Sequence, residues 1–131
     1  MTVKYNIFFR ACDKVESVHN IKRPFGLNKL ETIKVSFYSL YIALEESDFN
    51  FVIIGDDLSD ELINFFDNFD DIILDNSKLG SASKSLQKQI SLALKAPPDD
   101  WIYMCEDDYL HSPEAIRYIT EFIENKAEYL T

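Results

Sequence analysis

Asn50-Phe51-Val52-Ile53-Ile54-Gly55-Asp56-Asp57-Leu58-Ser59-Asp60 is the stretch that decides the fold. An apolar run of strand length, residues 50–55, ends on a glycine and hands over to two carboxylates. Such a nearly continuous apolar run, as opposed to an alternating one, fits a strand covered on both faces, as in parallel sheets. Ser59 or Asp60 then caps a short helix whose apolar side comes from Leu62, Ile63, Phe65 and Phe66.

The same alternation extends in both directions. Upstream, residues 4–11 (KYNIFFRA) form another buried-strand run, followed by a loop carrying Pro24 and Gly26. Residues 29–46 read as a helix, with Leu30, Ile33, Phe37, Leu40, Tyr41 and Leu44 at steps of three and four. Val35, Tyr38 and Ile42 widen its apolar surface, which predicts a helix buried on most sides. Downstream, residues 71–75 (DIILD) are a strand. A helix over 82–95 carries Leu86, Ile90, Ala93 and Leu94, and Ala96-Pro97-Pro98 ends it. Residues 101–106 (WIYMCE) are the fourth strand. The last helix opens at Ser112-Pro113 and buries Ile116, Tyr118, Ile119 and Ile123. Four strands alternating with four helices predict an α/β chain: a Rossmann-like three-layer sandwich on a mainly parallel four-stranded sheet with right-handed crossovers. At 131 residues the whole chain, 1–131, reads as a single domain.

Composition narrows the partners. The chain holds 23 acids against 13 bases, a formal charge of −10. That field repels phosphate backbones, so nucleic acid is not an expected partner. No segment approaches the roughly 20 apolar residues of a membrane helix, so no stable membrane insertion is expected. No signal-peptide pattern opens the sequence, and two cysteines make no disulfide framework; a reduced, cytoplasmic setting follows. Cys12 and Cys105 read as small buried apolar residues.

In open parallel sheets, ligands sit beyond the carboxyl ends of the strands. Here the strand ends are acidic: Asp13 follows strand one, Asp56-Asp57 strand two, and Glu106-Asp107-Asp108 strand four. Clustered carboxylates repel one another unless a cation compensates. Mg²⁺ commonly binds through one or two carboxylates plus substrate phosphates. An acidic protein can hold an anionic ligand in that way.

Two segments are specific enough to carry a resemblance. Ile53-Ile54-Gly55-Asp56-Asp57-Leu58-Ser59-Asp60 resembles the "V-D-D-G-S-x-D" segment of family 2-type glycosyltransferases of the GT-A fold. Ile102 to Pro113 resembles their acidic "DXD" segment, in which an apolar strand runs into acids and a proline opens the next helix. Asp13 stands where the family often has the Asn of its first-strand turn, and Gly80 to Leu94 resembles the helix leading into the acidic strand. The order of these segments matches over nearly the whole chain.

The resemblance implies half of a GT-A fold binding a nucleotide-diphosphate sugar with Mn²⁺ or Mg²⁺, and inversion in the transfer to a saccharide, lipid or protein acceptor. It implies that Asp57 hydrogen-bonds the base, with Asp56 shaping that turn. Asp107 contacts the ribose, Glu106 competes for that role, and Asp108 is the metal ligand. Backbone groups from Arg10 through Ala11 to Asp13 line the base pocket. Leu58 replaces the usual Gly, which predicts an altered turn, since glycine most readily takes positive φ. The family's acceptor-binding half supplies the general base. No counterpart occurs in these residues, so the chain is expected to be a donor-binding half that binds nucleotide without transferring a sugar by itself.

Other residues carry blander expectations. His111 is a solvated loop histidine with a lesser claim to a phosphate or metal contact. His19, Lys22 and Arg23 belong to a solvated loop. Lys84 and Lys88 form a solvated helix face, Asp70, Asp71 and Asp75 keep a loop soluble, and Trp101 packs in a buried strand. Nucleotidyl transfer needs a Gly-rich basic loop after strand one, which residues 10–14 lack. A receiver-like signalling domain needs its acids after strands one and three. A catalytically incomplete nucleotide-binding module stands as the remaining alternative.

Overall fold

The computed structural model describes residues 2–14 and 24–130. Strand β1 (Lys4–Ala11) lies at the centre of a four-stranded, all-parallel sheet. It pairs with β2 (Asp48–Asp56) on one side and β4 (Trp101–Glu106) on the other, and β3 (Ile72–Ser77) pairs beyond β2. The order is therefore β3-β2-β1-β4. Helices α1 (Lys29–Ala43), α2 (Asp60–Phe66), α3 (Ala82–Ala93) and α4 (Ala115–Leu130) lie between and after the strands. This is the three-layer α/β sandwich the alternation predicts. Strand order reverses at β1: the chain builds outward through β2 and β3, then returns to lay β4 on the opposite side.

Alternation along β1 divides the core in two. Tyr5, Ile7, Phe9 and Ala11 join the larger cluster with Ile33, Phe37 and Leu40 of α1, Leu62 and Phe66 of α2, and Ile116 and Ile123 of α4. Phe37 is its hub. Its ring lies 4.9 to 6.3 Å from those of Phe9, Tyr41, Phe51, Phe65, Phe66 and Phe69, mostly edge to face. The opposite face carries a much smaller cluster, Phe8, Ile54 and Ala93, flanked by Val52, Leu79 and Leu92 beneath α3.

Local chemistry sets the helix starts. Asn28 and Glu31 form a reciprocal capping box on α1, at 2.8 and 3.1 Å. Ser59 caps α2 and Ser81 caps α3. The ends depart from expectation by a few residues. α1 stops at Ala43 where 46 was expected, α3 stops at Ala93 where 95 was expected, and α4 starts at Ala115, past the Ser112-Pro113 opening. β2 begins two residues earlier than the apolar run, at Asp48, and β3 runs on to Ser77.

Four burial expectations are corrected, the first being Tyr118 of α4, which is 59% exposed and not on the helix's buried side. Val35, Tyr38 and Ile42 are 42%, 50% and 39% exposed, so α1 buries one stripe and leaves its outer side to solvent. In α3 the buried residues are Ser85, Gln89 and Ala93, while Leu86, Ile90 and Leu94 point away. The sheet beneath α3 offers backbone and polar groups there: Gln89 Nε2 donates to the Phe8 carbonyl at 2.7 Å, an exchange leucine cannot make. Trp101 is half exposed, because β4 is an edge strand with only Cys105 fully buried.

Candidate functional site

The carboxyl ends of β1, β2 and β4 and the N-terminus of α3 wall a cleft of about 540 Å³. It lies beside the strand-order reversal, where open α/β sheets bind ligands. Ala11 and Cys12 contribute from β1 and the turn after it, Asp56 and Asp57 from the end of β2, and Glu106 and Asp107 from the end of β4. The register explains the convergence: Arg10 is level with Ile54 and with Glu106, so the residues just beyond those positions all leave the sheet at one edge.

Each acid in the cleft has a partner. Asp56, 8% exposed, accepts from the Leu79 and Gly80 amides at 2.8 and 3.0 Å. It therefore ties the β3–α3 loop to the end of β2, a turn-shaping role. Asp57 lies 3.1 Å from Lys14 Nζ. Glu106 accepts from Arg10 Nη2 at 2.6 Å. Asp107, 8% exposed, accepts from Lys29 Nζ at 2.7 Å and from the Cys12 amide at 3.0 Å. Asp13 accepts from the Ser59 amide at 3.0 Å, joining the β1 and β2 turns. Asp108 lies one residue past the lining, exposed, and has no hydrogen-bond partner among the described residues.

The turn after β2 does not place Leu58 at positive φ. Positive φ falls on Asp57 (φ 48°), and Leu58 is a buried core residue, 3% exposed. Aspartate tolerates the left-handed region better than most residues. Gly55 is needed for close approach: a Cβ there meets Leu58 Cδ1 at 2.6 Å and Asn76 Oδ1 at 2.8 Å. Asn76 Oδ1 also accepts from the Leu58 amide at 3.0 Å, so this crowded joint fixes where Asp56 and Asp57 point.

Sequence reasoning missed the cations. Arg10, Lys14 and Lys29 all line the cleft beside the acids. Arg10 also donates from Nη1 to the Ala82 carbonyl at 3.2 Å, while its buried Nε finds no acceptor among the described residues. A signal for Lys29 was present: it opens α1, and a base at a helix N-terminus opposes the helix dipole. That placement suggests a partner elsewhere, and the partner is Asp107.

Among the described residues around the cleft, Asp108 is the carboxylate without a hydrogen-bond or ion-pair partner. Among the described residues no three His, Cys, Asp or Glu side chains gather as a metal cage. The donor set therefore fits an ion shared with ligand phosphates and water, not an all-protein site.

Other residues resolve as follows. His111 is half-buried, hydrogen-bonded through Nε2 to the Tyr103 hydroxyl, and its pKa is lowered by burial. It lines a separate apolar cavity with Val35, Tyr38 and Phe69, so neither a solvated loop nor the acidic cleft describes it. Lys88 donates to Asp75 and Ser77 of β3, Asp71 accepts from Tyr41, and Asp100 accepts from Asn6. Cys105 is buried, and desolvation pushes its thiol up to about 12; Cys12 is half-buried at the cleft. His19, Lys22 and Arg23 lie outside the described residues. Among the described residues no helix is long and apolar enough to cross a membrane.

No protein-family model matches the chain, and no curated protein or solved structure matches it.

Proposed function

We propose that this chain binds a nucleotide-diphosphate sugar in the acidic cleft, as the donor-binding part of a glycosyltransferase. The observation that carries the reading is the convergence of Asp57 and Asp107, 50 residues apart in sequence, on one cleft at the strand-order reversal. Carboxylates accept from base N–H groups and ribose hydroxyls, while Arg and Lys donate to phosphate oxygens. The cleft holds both sets. Ala11 and Cys12 supply backbone for the base, Asp57 its hydrogen-bond acceptor, and Asp107 or Glu106 the acceptors for ribose. Asp13 and Asp56 hold the turns in shape.

A divalent ion, Mn²⁺ or Mg²⁺, supplies charge that neutralises a departing diphosphate. Asp108 is the residue to hold it, with phosphate oxygens and water completing its shell. The acceptor is a saccharide, lipid or protein hydroxyl. A cytoplasmic setting fits the two free thiols and a cytosolic donor pool.

One observation favours a narrower reading, a nucleotide-binding module that does not transfer. The two buried acids of the cleft, Asp56 and Asp107, are each held by two donors, and the two more exposed ones are paired with Lys14 and Arg10, so no acid there stands out as a dedicated base.

The test is calorimetric titration with UDP, GDP, CDP and ADP in the presence of MnCl₂. At least one is expected to bind with 1:1 stoichiometry. Asp57→Asn, which tolerates the same backbone, is expected to weaken it by about tenfold and change the base ranking. Absence of binding by all four at millimolar concentration overturns the reading.

A further inference from the structure

We infer that Arg10, Lys14 and Lys29 form a metal-independent anchor for the diphosphate, so that nucleotide binding does not wait for a divalent ion. The inference rests on the nucleotide-sugar reading of the same cleft and adds which groups hold the phosphates.

Three features carry it. The first is placement. The three cations come from β1, the turn after it, and the first residue of α1, and all line one cleft. The lining holds three bases against four acids, in a chain of 13 bases and 23 acids.

The second is spare donor capacity. Lys29 uses one donor on Asp107 and keeps two; Lys14 is half exposed. Arg10 spends its Nη groups on Glu106 and the Ala82 carbonyl, and its buried Nε has no acceptor among the described residues. A buried N–H without an acceptor costs about 1–3 kcal/mol, and a phosphate oxygen would remove that cost.

The third is exchangeable pairing. Glu106 is 49% exposed and Asp57 39% exposed, so both can turn to water or to a hydroxyl while their cations turn to phosphate. Asp107 differs. It is held from both sides by Lys29 and the Cys12 amide, so Lys29 bridges Asp107 and the phosphate without leaving either. The pairs offset three of the four carboxylates in the lining. A nucleotide brings hydroxyl and base N–H donors for the acids and phosphate oxygens for the cations.

Among the described residues at the carboxyl ends of the strands, Asp108 is the acid without a hydrogen-bond or ion-pair partner, and it stands past the lining. The bound diphosphate then supplies the oxygens that an ion at Asp108 needs, which sets the order: nucleotide first, ion second.

The test is titration of the intact chain with UDP, or the best nucleotide of the panel, in EDTA and again in MnCl₂. Affinities within about threefold of each other are expected. Lys14→Gln with Lys29→Gln is expected to weaken binding in EDTA by about tenfold or more, and Lys29→Arg to retain it. Far-UV circular dichroism confirms that each variant is folded. If the double substitution does not fold, Lys14→Gln alone serves, with a severalfold loss expected. Binding in MnCl₂ but not in EDTA overturns the anchor and leaves the nucleotide reading standing. Binding in EDTA unchanged in every charge variant also overturns it. Absence of binding under both conditions removes the nucleotide reading itself.

Discussion

The two faces of the sheet are built from different materials. Beneath α1, α2 and α4 lies a continuous apolar core around Phe37, with Phe9, Phe51 and Phe66 fully buried. Beneath α3 lie two buried apolar residues, Phe8 and Ile54, and the helix contributes Ser85, Gln89 and Ala93 to the interface. One face supplies cohesion through apolar area and edge-to-face rings. The other is held by directed hydrogen bonds to strand carbonyls and to the β3–α3 loop. The acidic cleft opens at the end of this second, polar side, where Arg10 reaches up to α3. A polar, sparsely packed layer next to the site leaves charged groups able to exchange partners.

The widest break of this contrast comes from matched truncations. Phe37→Ala is expected to cost about 3–5 kcal/mol, because its ring has six aromatic neighbours and no solvent side. Phe8→Ala is expected to cost at least about 1 kcal/mol less, since its cluster is small and collapses more readily. Urea unfolding followed by circular dichroism measures both, and Phe37→Leu substitutes if the alanine variant does not fold. Equal losses would show that the α3 face packs as firmly as the other.

A smaller effect sharpens the same point. Gln89→Ala removes donors from the carbonyls of Phe8 and Cys105 and is expected to cost about 1–3 kcal/mol. Gln89→Leu, with similar volume and more apolar area, is expected to recover little. If leucine restores full stability, the α3 face is held by area after all.

How far the sequence disclosed this follows from which signals report faces. The strand–helix alternation is set by period and turn residues, and these are local, so the α/β sandwich and the acidic strand ends were legible. What period does not report is which side of an amphipathic helix meets the sheet. Leu86, Ile90 and Leu94 form a proper helical stripe, yet the sheet lies under Ser85 and Gln89, where Gln89 donates to the strand carbonyls of Phe8 and Cys105. The same limit hid the cations. Lys29 and Asp107 are 78 positions apart, and their pairing follows only from the crossover that places the start of α1 beside the end of β4. Within the cleft, Asp56 and Asp57 are adjacent in sequence but differ in role, since one is tethered by amides and the other faces a lysine.

The smallest expected effect, a ratio of labelling rates, uses the two thiols as reporters of the two environments. Cys105 projects into the apolar core, and desolvation, reinforced by the charges of Asp108, Asp107 and Glu106, raises its thiol to about 12. The thiolate is the nucleophile, so at pH 8 Cys105 is inert. Cys12 is half-buried and lines the cleft, where its amide is already committed to Asp107. A disulfide reagent is therefore expected to modify Cys12 first, and modification of Cys105 to track global unfolding. Because the pKa of Cys105 is higher folded than unfolded, its protonated form favours the native state. That contribution is lost as pH rises from about 9 toward 12, so stability should fall across this window. A nucleotide filling the cleft is expected to slow Cys12 labelling several-fold and leave Cys105 unchanged, read by mass spectrometry of each labelled peptide. Protection of both thiols alike would mean that the ligand stiffens the whole sheet; protection of neither would place it away from the β1 turn.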